Sequence, residues 1–432
     1  MKKQLLNLAL LLLLLPQAGF SQLSISGEIT PNAMFRISDA TLIDLPFRLG
    51  NISLNYAWGD FEVVSNTALE TRWKNAEYDS DMFQFREAYL MWYPSFGEIK
   101  LGKMIQAWGA ADANNPTDNL SPYDFYYMFL VGTDRKLGNL GLSAKTYYED
   151  WQLEGIFTPE HEATRLPFGE PDFPISFPFE PESYVDIEAP AEYGFRLQRA
   201  FDVADVSVSY LKAHDQLFSM LYLEMLNLNN AIPHFGYRNT DVLGLDFVAF
   251  PGNWTLRGEG GYFKSATPEF DASLYSLGTA ISYPVDAEYF QYVLQVEYQF
   301  ANQVSLMAQF LGTEVTQAEG YAFPVGSMGQ IMLTEDNLVP GLGTPFAMIS
   351  KQVVMFSSMA TLFDNSLELS GMEMINLEET GSMTSLGISY SMMEGLNLEA
   401  TLAIFIGGDE EGNSFKDLED FSNVSLGLTY NF

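Results

Sequence analysis

Short segments with alternating apolar and polar residues run through most of this chain. In residues 289–300, Phe290 and Leu294 fall on one face, and Gln291 and Gln295 fall on the other. About eighteen such segments can be counted, each roughly nine to thirteen residues long, which is the length that a tilted β-strand needs to cross a bilayer. Because such a strand has one face toward lipid and the other toward an interior, the pattern predicts an all-β, transmembrane antiparallel β-barrel.

The links between these segments alternate in length. Short periplasmic turns and long extracellular loops are typical of outer-membrane barrels, and eight turns with both termini on the periplasmic side require eighteen strands. Sixteen strands remain the alternative count, because the strands near residues 23–57 are weak. Residues 272–283 also alternate, but we assign them to a loop hairpin because a wall strand there would break the parity. The short links lie at residues 59–60, 94–97, 149–150, 202–203, 251–253, 301–302, 364–365 and 393–395.

Both ends of the chain fit an exported barrel. Lys2 and Lys3 precede an apolar run over residues 5–15, which predicts a cleaved signal peptide over residues 1–21. The remainder, residues 22–432, is then a single barrel domain. The last strand alternates and ends at Phe432, so we expect the barrel-assembly machinery of a Gram-negative cell to recognise it and the protein to lie in outer-membrane lipid.

Composition argues against nucleic acid as a partner and supports a membrane barrel. The formal net charge of −35 repels nucleic acid. Aromatic residues make up 14% of the chain and recur near predicted strand ends, as the interfacial girdles of a membrane barrel require. Without cysteine there is no thiolate chemistry. We predict no cofactor and no metal, and a homo-oligomer is compatible with the sequence.

The inward phase of the predicted strands carries charges of both signs. A barrel this wide cannot be filled by its own wall side chains, so it holds water or is obstructed by loops. The acidic excess on the inward face favours cations or neutral small solutes over anions. The alternative is that these residues only hydrate or brace the wall. The predicted pore-lining residues are Glu70, Arg72, Arg196, Asp246, Arg257, Glu259, Glu297, Glu368 and Glu399.

The long link after the fifth predicted strand carries the most distinctive motif. Gly102-Lys103 is followed by Trp108-Gly109 and then by an Asn-Pro-x-Asp run over residues 115–118. In this motif the chain resembles a little-characterised family of porin-like outer-membrane proteins, although Met104 stands where that family usually has Gln. The resemblance implies an outer-membrane channel, in a family associated with export of lipids or hydrophobic compounds.

The same link suggests a constriction. Its Asn-Pro and Ser-Pro breaks and its Asp residues favour defined turns, so we expect it to fold inward and narrow the pore. The alternatives are a surface lid or a calcium site, although the Asp spacing matches no EF-hand loop. The predicted gating residues are Trp108, Asp112, Asn115, Pro116, Asp118 and Asp124.

Two further loop stretches are apolar. The density of proline over residues 166–181 excludes helix and strand. Residues 216–227 have Met and Leu spacing compatible with a short amphipathic helix. Together the two stretches support the alternative function, the transport of hydrophobic compounds.

Catalysis is not expected. The three histidines, His161, His214 and His234, fall in predicted outer loops, and none lies in a Gly-x-Ser-x-Gly or His-Glu-x-x-His context. The sequence therefore favours a channel over an enzyme, with a plugged barrel that serves as a surface binding scaffold as the third alternative.

Overall fold

The computed structural model describes residues 22–74, 82–112, 114–177, 180–227, 230–269, 280–282, 284–301, 303–325, 329–410 and 413–432. The predicted signal peptide, residues 1–21, lies outside the described residues, as does most of the 272–283 hairpin. Among the residues that are described, no helix has both the length and the apolar character to cross a membrane.

The described residues form a closed antiparallel barrel of eighteen strands, the count that the sequence predicted. Each strand pairs with its neighbours along the chain. The strands are β1 (Leu23–Ile29, continuing after Pro31 as Asn32–Arg36), β2 (Phe47–Trp58), β3 (Phe61–Thr71), β4 (Met82–Trp92), β5 (Gly97–Met104), β6 (Asn139–Tyr148), β7 (Trp151–Thr158), β8 (Glu192–Phe201), β9 (Ala204–His214), β10 (Asn239–Ala249), β11 (Trp254–Ala266), β12 (Val285–Gln299), β13 (Val304–Val325), β14 (Gln352–Leu362), β15 (Leu367–Asn376), β16 (Gly381–Met393), β17 (Leu396–Gly407) and β18 (Asn423–Asn431).

The barrel closes where the first strand meets the last. β1 pairs with β2 on one side and with β18 on the other. Beyond the last paired strand residue, the N–H of Gly27 donates to the carbonyl of Phe432 at 2.9 Å, and the N–H of Phe432 donates to the carbonyl of Gly27 at 3.0 Å. A Cβ atom at Gly27 would lie 2.6 Å from Phe432 Cζ and 2.5 Å from the Asn51 carbonyl, so this junction requires glycine.

Every predicted short link connects two consecutive strands of the wall, with residue 302 lying outside the described residues. The turns join β2 to β3, β4 to β5, and so on in pairs to β16 and β17. Gly59 and Gly395 have φ of 56° and 77° in two of these turns, a left-handed conformation that tight hairpins use and that glycine adopts without steric cost. The long connections all lie at the opposite end of the barrel, which confirms the predicted alternation.

The outward face is largely apolar, and exposed aromatic residues lie near both ends of the strands, among them Phe83 at the loop end and Trp92 at the turn end. Leu243 and Leu294 are 56% and 57% exposed, as is expected of side chains that face lipid. Near two turns, neighbouring rings stack in a row of Tyr56, Trp58, Phe61 and Trp92. Lys103 is paired opposite the exposed Leu140, so its side chain lies on the lipid-facing side of β5.

One loop element differs from the sequence prediction. Residues 216–227 do not form the expected amphipathic helix, because Ser219–Asn227 is a strand that pairs with Asn230–Gly236. Ala280–Ser282 adds a third strand to this outer sheet, so the described part of the 272–283 stretch lies outside the wall. The backbone pairing across the sheet overrides the local helix spacing.

The apolar core lies inside the barrel, between the wall and the loops. Inward wall residues such as Val293, Met355 and Phe405 pack with loop residues such as Phe125 and Phe346 in one buried cluster. A second cluster surrounds Trp108. Loops therefore fill much of the interior, which an eighteen-stranded wall cannot fill alone.

Candidate functional site: the lumen and the loop across it

Eight of the nine predicted pore-lining residues lie on the inward phase of wall strands. Lipid-facing neighbours show this: Leu245 and Phe247 are exposed on either side of the buried Asp246. Arg72 follows the last residue of β3 and reaches inward from the rim. The role of these residues in lining a solute pathway stays a prediction.

The structure pairs the inward arginines with carboxylates. Arg196 on β8 donates to Asp246 on β10 at 2.9 Å, and Ser207 on the strand between them bonds to both. Arg257 contacts Asp112 and lies 3.8 Å from Glu297. The guanidinium charges of Arg196 and Arg257 are therefore largely neutralised by neighbouring carboxylates.

Residues 105–138, which we name the crossing loop, run through the lumen from β5 to the far wall. Asn114 donates through Nδ2 to Gln309 on β13 at 3.2 Å and approaches the sulfur of Met355 on β14 at 3.3 Å. β14 is nine strands from β5 in a barrel of eighteen. The loop therefore spans the full width of the barrel.

Glu259 on β11 anchors the middle of the crossing loop. Its Oε2 accepts the backbone N–H groups of Ala110 and Ala111 at 2.9 and 3.1 Å. Its Oε1 accepts the N–H and the hydroxyl of Thr117, both at 2.8 Å. Glu259 is only 5% exposed. A buried carboxylate loses its hydrogen bonds to water, and these four donors take the place of those bonds.

Trp108 fixes the start of the crossing loop against the wall. Its indole Nε1 donates to Glu154 on β7 at 3.0 Å, and its backbone N–H donates to Asp118 at 3.3 Å. The ring lies against Gly194 on β8, where a Cβ atom would come within 2.8 Å of it. The absence of a side chain at Gly194 therefore creates the space for this ring.

Asp112 meets the wall through both main chain and side chain. Its N–H donates to Gln295 Oε1 at 3.0 Å, and its carboxylate accepts from Gln295 Nε2 at 2.9 Å. Its carbonyl accepts from Gln309 at 2.7 Å. Together with the Arg257 contact, these bonds attach the loop to three consecutive strands, β11 to β13.

The other predicted gating residues stabilise the loop from within. Asn115 Nδ2 donates to the Ala111 carbonyl at 2.6 Å, and the carbonyl of Pro116 accepts from Asn119 at 2.7 Å. Asp118 forms an ion pair with the buried Lys136 at 3.3 Å. These contacts keep the loop in one compact conformation, as its turn residues predicted.

Asp124 connects the crossing loop to residues 159–191, which we name the mouth loop. Asp124 caps a short 3₁₀ turn through the N–H of Tyr126 and pairs with Arg165 of the mouth loop at 3.2 Å. Arg165 also pairs with Glu70 on β3 at 2.7 Å. Burial raises the pKa of the Asp124 carboxyl, while the Arg165 guanidinium opposes this effect.

The proline-rich part of the mouth loop packs into the opening of the barrel. Phe173 and Phe177 join the apolar cluster around Phe125. Glu170 pairs with Arg72 at the rim and accepts the Tyr126 hydroxyl at 2.8 Å. This segment therefore contacts the crossing loop as well as the wall.

A cavity of about 600 Å³ remains beside the crossing loop. One part of its lining is apolar, with Met34, Phe405 and Phe421 among its residues. The charged residues that line it are Glu28, Arg48, Arg86, Asp134 and Glu399. The cavity thus combines an apolar surface with three carboxylates and two guanidinium groups.

Several anchoring residues were not singled out in the sequence. Glu154, Lys136, Gln309 and Asn114 are all buried and bonded to or within the crossing loop. The available signal for Gln309 and Glu154 was a polar side chain on the inward phase of a wall strand. That signal does not distinguish a residue that contacts a loop from one that contacts water.

The barrel resembles outer-membrane proteins of known structure. OpdK of Pseudomonas aeruginosa aligns with a TM-score of 0.52 at 8% identity, over 95% of this chain and 99% of that one. OccAB2 of Acinetobacter baumannii gives 0.52 at 12% identity, over 95% and 98%. OccK9 (OpdG) of P. aeruginosa gives 0.51 at 10% identity, over 96% and 99%. We find no match to a family model or to a curated protein. At these identities the likeness establishes the fold, an outer-membrane β-barrel.

Proposed function

We propose that this protein is an outer-membrane channel for small neutral or cationic solutes, in which the crossing loop sets the width of the passage. The observation that carries the proposal is the path of the loop from β5 to β14, with the buried Glu259 anchoring its middle. A loop fixed at this position leaves only the space beside it for a solute. In this function the loop selects solutes by size, and the charged groups around the remaining space select them by charge.

The charges beside the loop support a preference for cations. Three carboxylates and two guanidinium groups line the 600 Å³ cavity. Within the described part of the chain, Glu368 and Glu399 have no ion-pair partner, whereas Arg196 and Arg257 are paired with acids. Unpaired carboxylates along a pore attract cations and repel anions.

The test is single-channel recording of the refolded protein in planar bilayers, with the reversal potential measured across a potassium chloride gradient. We expect small conductance steps with a cation-selective reversal potential. Deletion of residues 110–124 removes the part of the loop that crosses the lumen, so conductance is expected to increase several-fold. The double variant Glu28→Gln and Glu399→Gln is expected to shift the reversal potential toward anions.

The matched control is deletion of two or three residues from the outer sheet at residues 230–236, which leaves the crossing loop intact. This control is expected to keep the wild-type conductance. If the 110–124 deletion also leaves conductance and selectivity unchanged, the crossing loop does not set the width of the passage. Folding of each variant is checked by its heat-modifiable migration in gels.

A second candidate function is the transport of hydrophobic compounds. The specific observation is the apolar part of the cavity lining, where Met372, Met383 and Phe405 face the space beside the loop. Folded protein that gives no conductance steps but saturably binds an apolar fluorescent probe would favour this function. Folded protein with neither property would favour a plugged barrel that serves as a binding scaffold.

A further inference from the structure

Two histidines and a glutamate meet at the outer ends of three consecutive strands, outside the crossing loop. Glu192 is the first residue of β8, His214 is the last residue of β9, and His161 lies three residues beyond the end of β7. The Nδ1 atoms of His161 and His214 lie 2.9 and 3.1 Å from the same oxygen, Oε1 of Glu192. The three side chains are only 5%, 7% and 12% exposed.

We propose that His161, Glu192 and His214 form a binding site for a divalent transition-metal ion, with zinc as the ion to test first. Two imidazole nitrogens and one carboxylate are a ligand set that zinc uses with water as the fourth ligand. One candidate ligand atom from each residue lies within 4.8 Å of the others. At a zinc–ligand distance of about 2.0–2.1 Å, neighbouring ligands of a tetrahedral site are about 3.3 Å apart. The two nitrogen–oxygen separations to Glu192, 2.9 and 3.1 Å, are close to this value.

The hydrogen bonds around Glu192 favour a metal over a purely structural role. Besides the two imidazoles, the backbone N–H of His214 donates to the same Oε1 at 3.1 Å. In the absence of a metal, one oxygen atom would have to accept three N–H groups. With a metal bound, both Nδ1 atoms present lone pairs to the ion, and the backbone N–H remains as the bond that orients the carboxylate.

The surroundings are suited to a cation. The chain carries a formal charge of −35, and the site itself has one carboxylate and no permanently charged cation among its three members. The ring of His161 also packs on Tyr237, with ring centroids 4.5 Å apart, and Tyr184 stacks on Tyr237. These aromatic contacts hold one ligand in position before any ion binds.

The position of the site gives it a defined consequence. His161 belongs to the mouth loop, whereas Glu192 and His214 belong to the wall. A bound ion would therefore connect the start of the mouth loop directly to two strands. This consequence does not depend on the proposed channel function, because it concerns only the rim of the barrel.

The experiment is isothermal titration of zinc chloride into refolded, chelator-treated protein, repeated with cobalt to record visible absorption. Wild type is expected to bind one zinc ion and to give the absorption bands of tetrahedral cobalt. His161→Ala and His214→Ala are expected to weaken zinc binding by about 100-fold or more, since each removes a ligand. His234→Ala is the matched control, because His234 pairs with Glu224 instead, and it is expected to bind zinc as wild type does.

Two results would overturn the proposal. One is wild-type protein that shows neither saturable zinc binding nor cobalt bands, a measurement that needs no variant. The other is binding that survives in the His161→Ala, His214→Ala double variant or is lost in His234→Ala. If an alanine variant fails to refold, His161→Gln and His214→Gln retain the side-chain volume and a polar group while replacing the imidazole ligand.

Discussion

Glu259 and Thr117 are joined by two hydrogen bonds of 2.8 Å, one from the backbone N–H of Thr117 and one from its hydroxyl. The two residues are 142 positions apart in the chain. The second oxygen of Glu259 holds Ala110 and Ala111 in the same way. One buried wall carboxylate thus determines where two parts of the crossing loop lie.

Replacing Glu259 with glutamine is expected to loosen the crossing loop. The amide group of glutamine turns an acceptor into a donor that faces the N–H groups of Ala110 and Ala111, so two bonds to a charged acceptor are lost, at a cost of about 3 kcal/mol. We expect noisier single-channel currents and faster proteolysis within residues 105–138. Glu368→Gln is the control, since Glu368 is inward-facing and solvent-exposed. Identical current noise in both variants would show that Glu259 does not hold the loop.

Adding a methyl group at Gly194 is expected to displace Trp108. The new Cβ atom would lie 2.8 Å from the indole ring, and overpacking of this kind costs about 1–3 kcal/mol. The bond from Trp108 to Glu154 should lengthen or break as the ring moves. Gly155→Ala on the neighbouring strand is the control, because its Cβ atom would meet Phe195 at an ordinary 3.5 Å. In urea unfolding in detergent, the Gly194→Ala variant should have a lower midpoint than the Gly155→Ala variant. Equal midpoints would contradict the prediction.

Removing Arg196 alone is expected to lower the free energy of unfolding more than removing both Arg196 and Asp246. Arg196→Ala leaves the buried Asp246 without its cation, and such a loss costs about 3–5 kcal/mol. The double variant Arg196→Ala, Asp246→Ala removes both charges and should recover part of that loss. A double-mutant cycle built from unfolding free energies measures this coupling. Strict additivity of the two single substitutions would mean that the pair contributes no interaction energy.

The role of Phe432 in assembly stays a prediction that the structure makes testable. Phe432→Ala keeps the two backbone bonds to Gly27 but removes the aromatic ring. If the ring is a recognition signal for the assembly machinery, the variant should accumulate less folded barrel in cells and yet refold normally in detergent. A variant that fails equally in both settings would indicate that the ring serves barrel closure alone.

The wall was predictable because lipid imposes one rule on every strand. Most outward positions are apolar and each hairpin needs a turn, so the sequence around Leu243, Leu294 and Gly59 indicates where each residue lies. The strand count, the turns and the inward phase of residues such as Glu297 follow from that rule.

The interior was not predictable to the same degree. Glu259 and Gln309, two of the wall partners of the crossing loop, lie 142 and 197 positions from Thr117 and Asp112, and no local pattern records such a distance. His161 and His214 are 31 and 22 positions from Glu192, too far apart to form a short metal-binding motif. The expected helix at residues 216–227 was wrong for a related reason, since its strand partners come from residues 230–236 and 280–282.

The span of the crossing loop has a mechanical consequence. A wide barrel wall deforms most easily by flattening into an ellipse, and this deformation changes the distance between opposite strands. Because the loop leaves β5 and is bonded to β13 and β14, flattening along that diameter compresses the loop and widening along it stretches the loop. The lateral pressure of the surrounding bilayer is therefore transmitted to the segment that lies across the lumen.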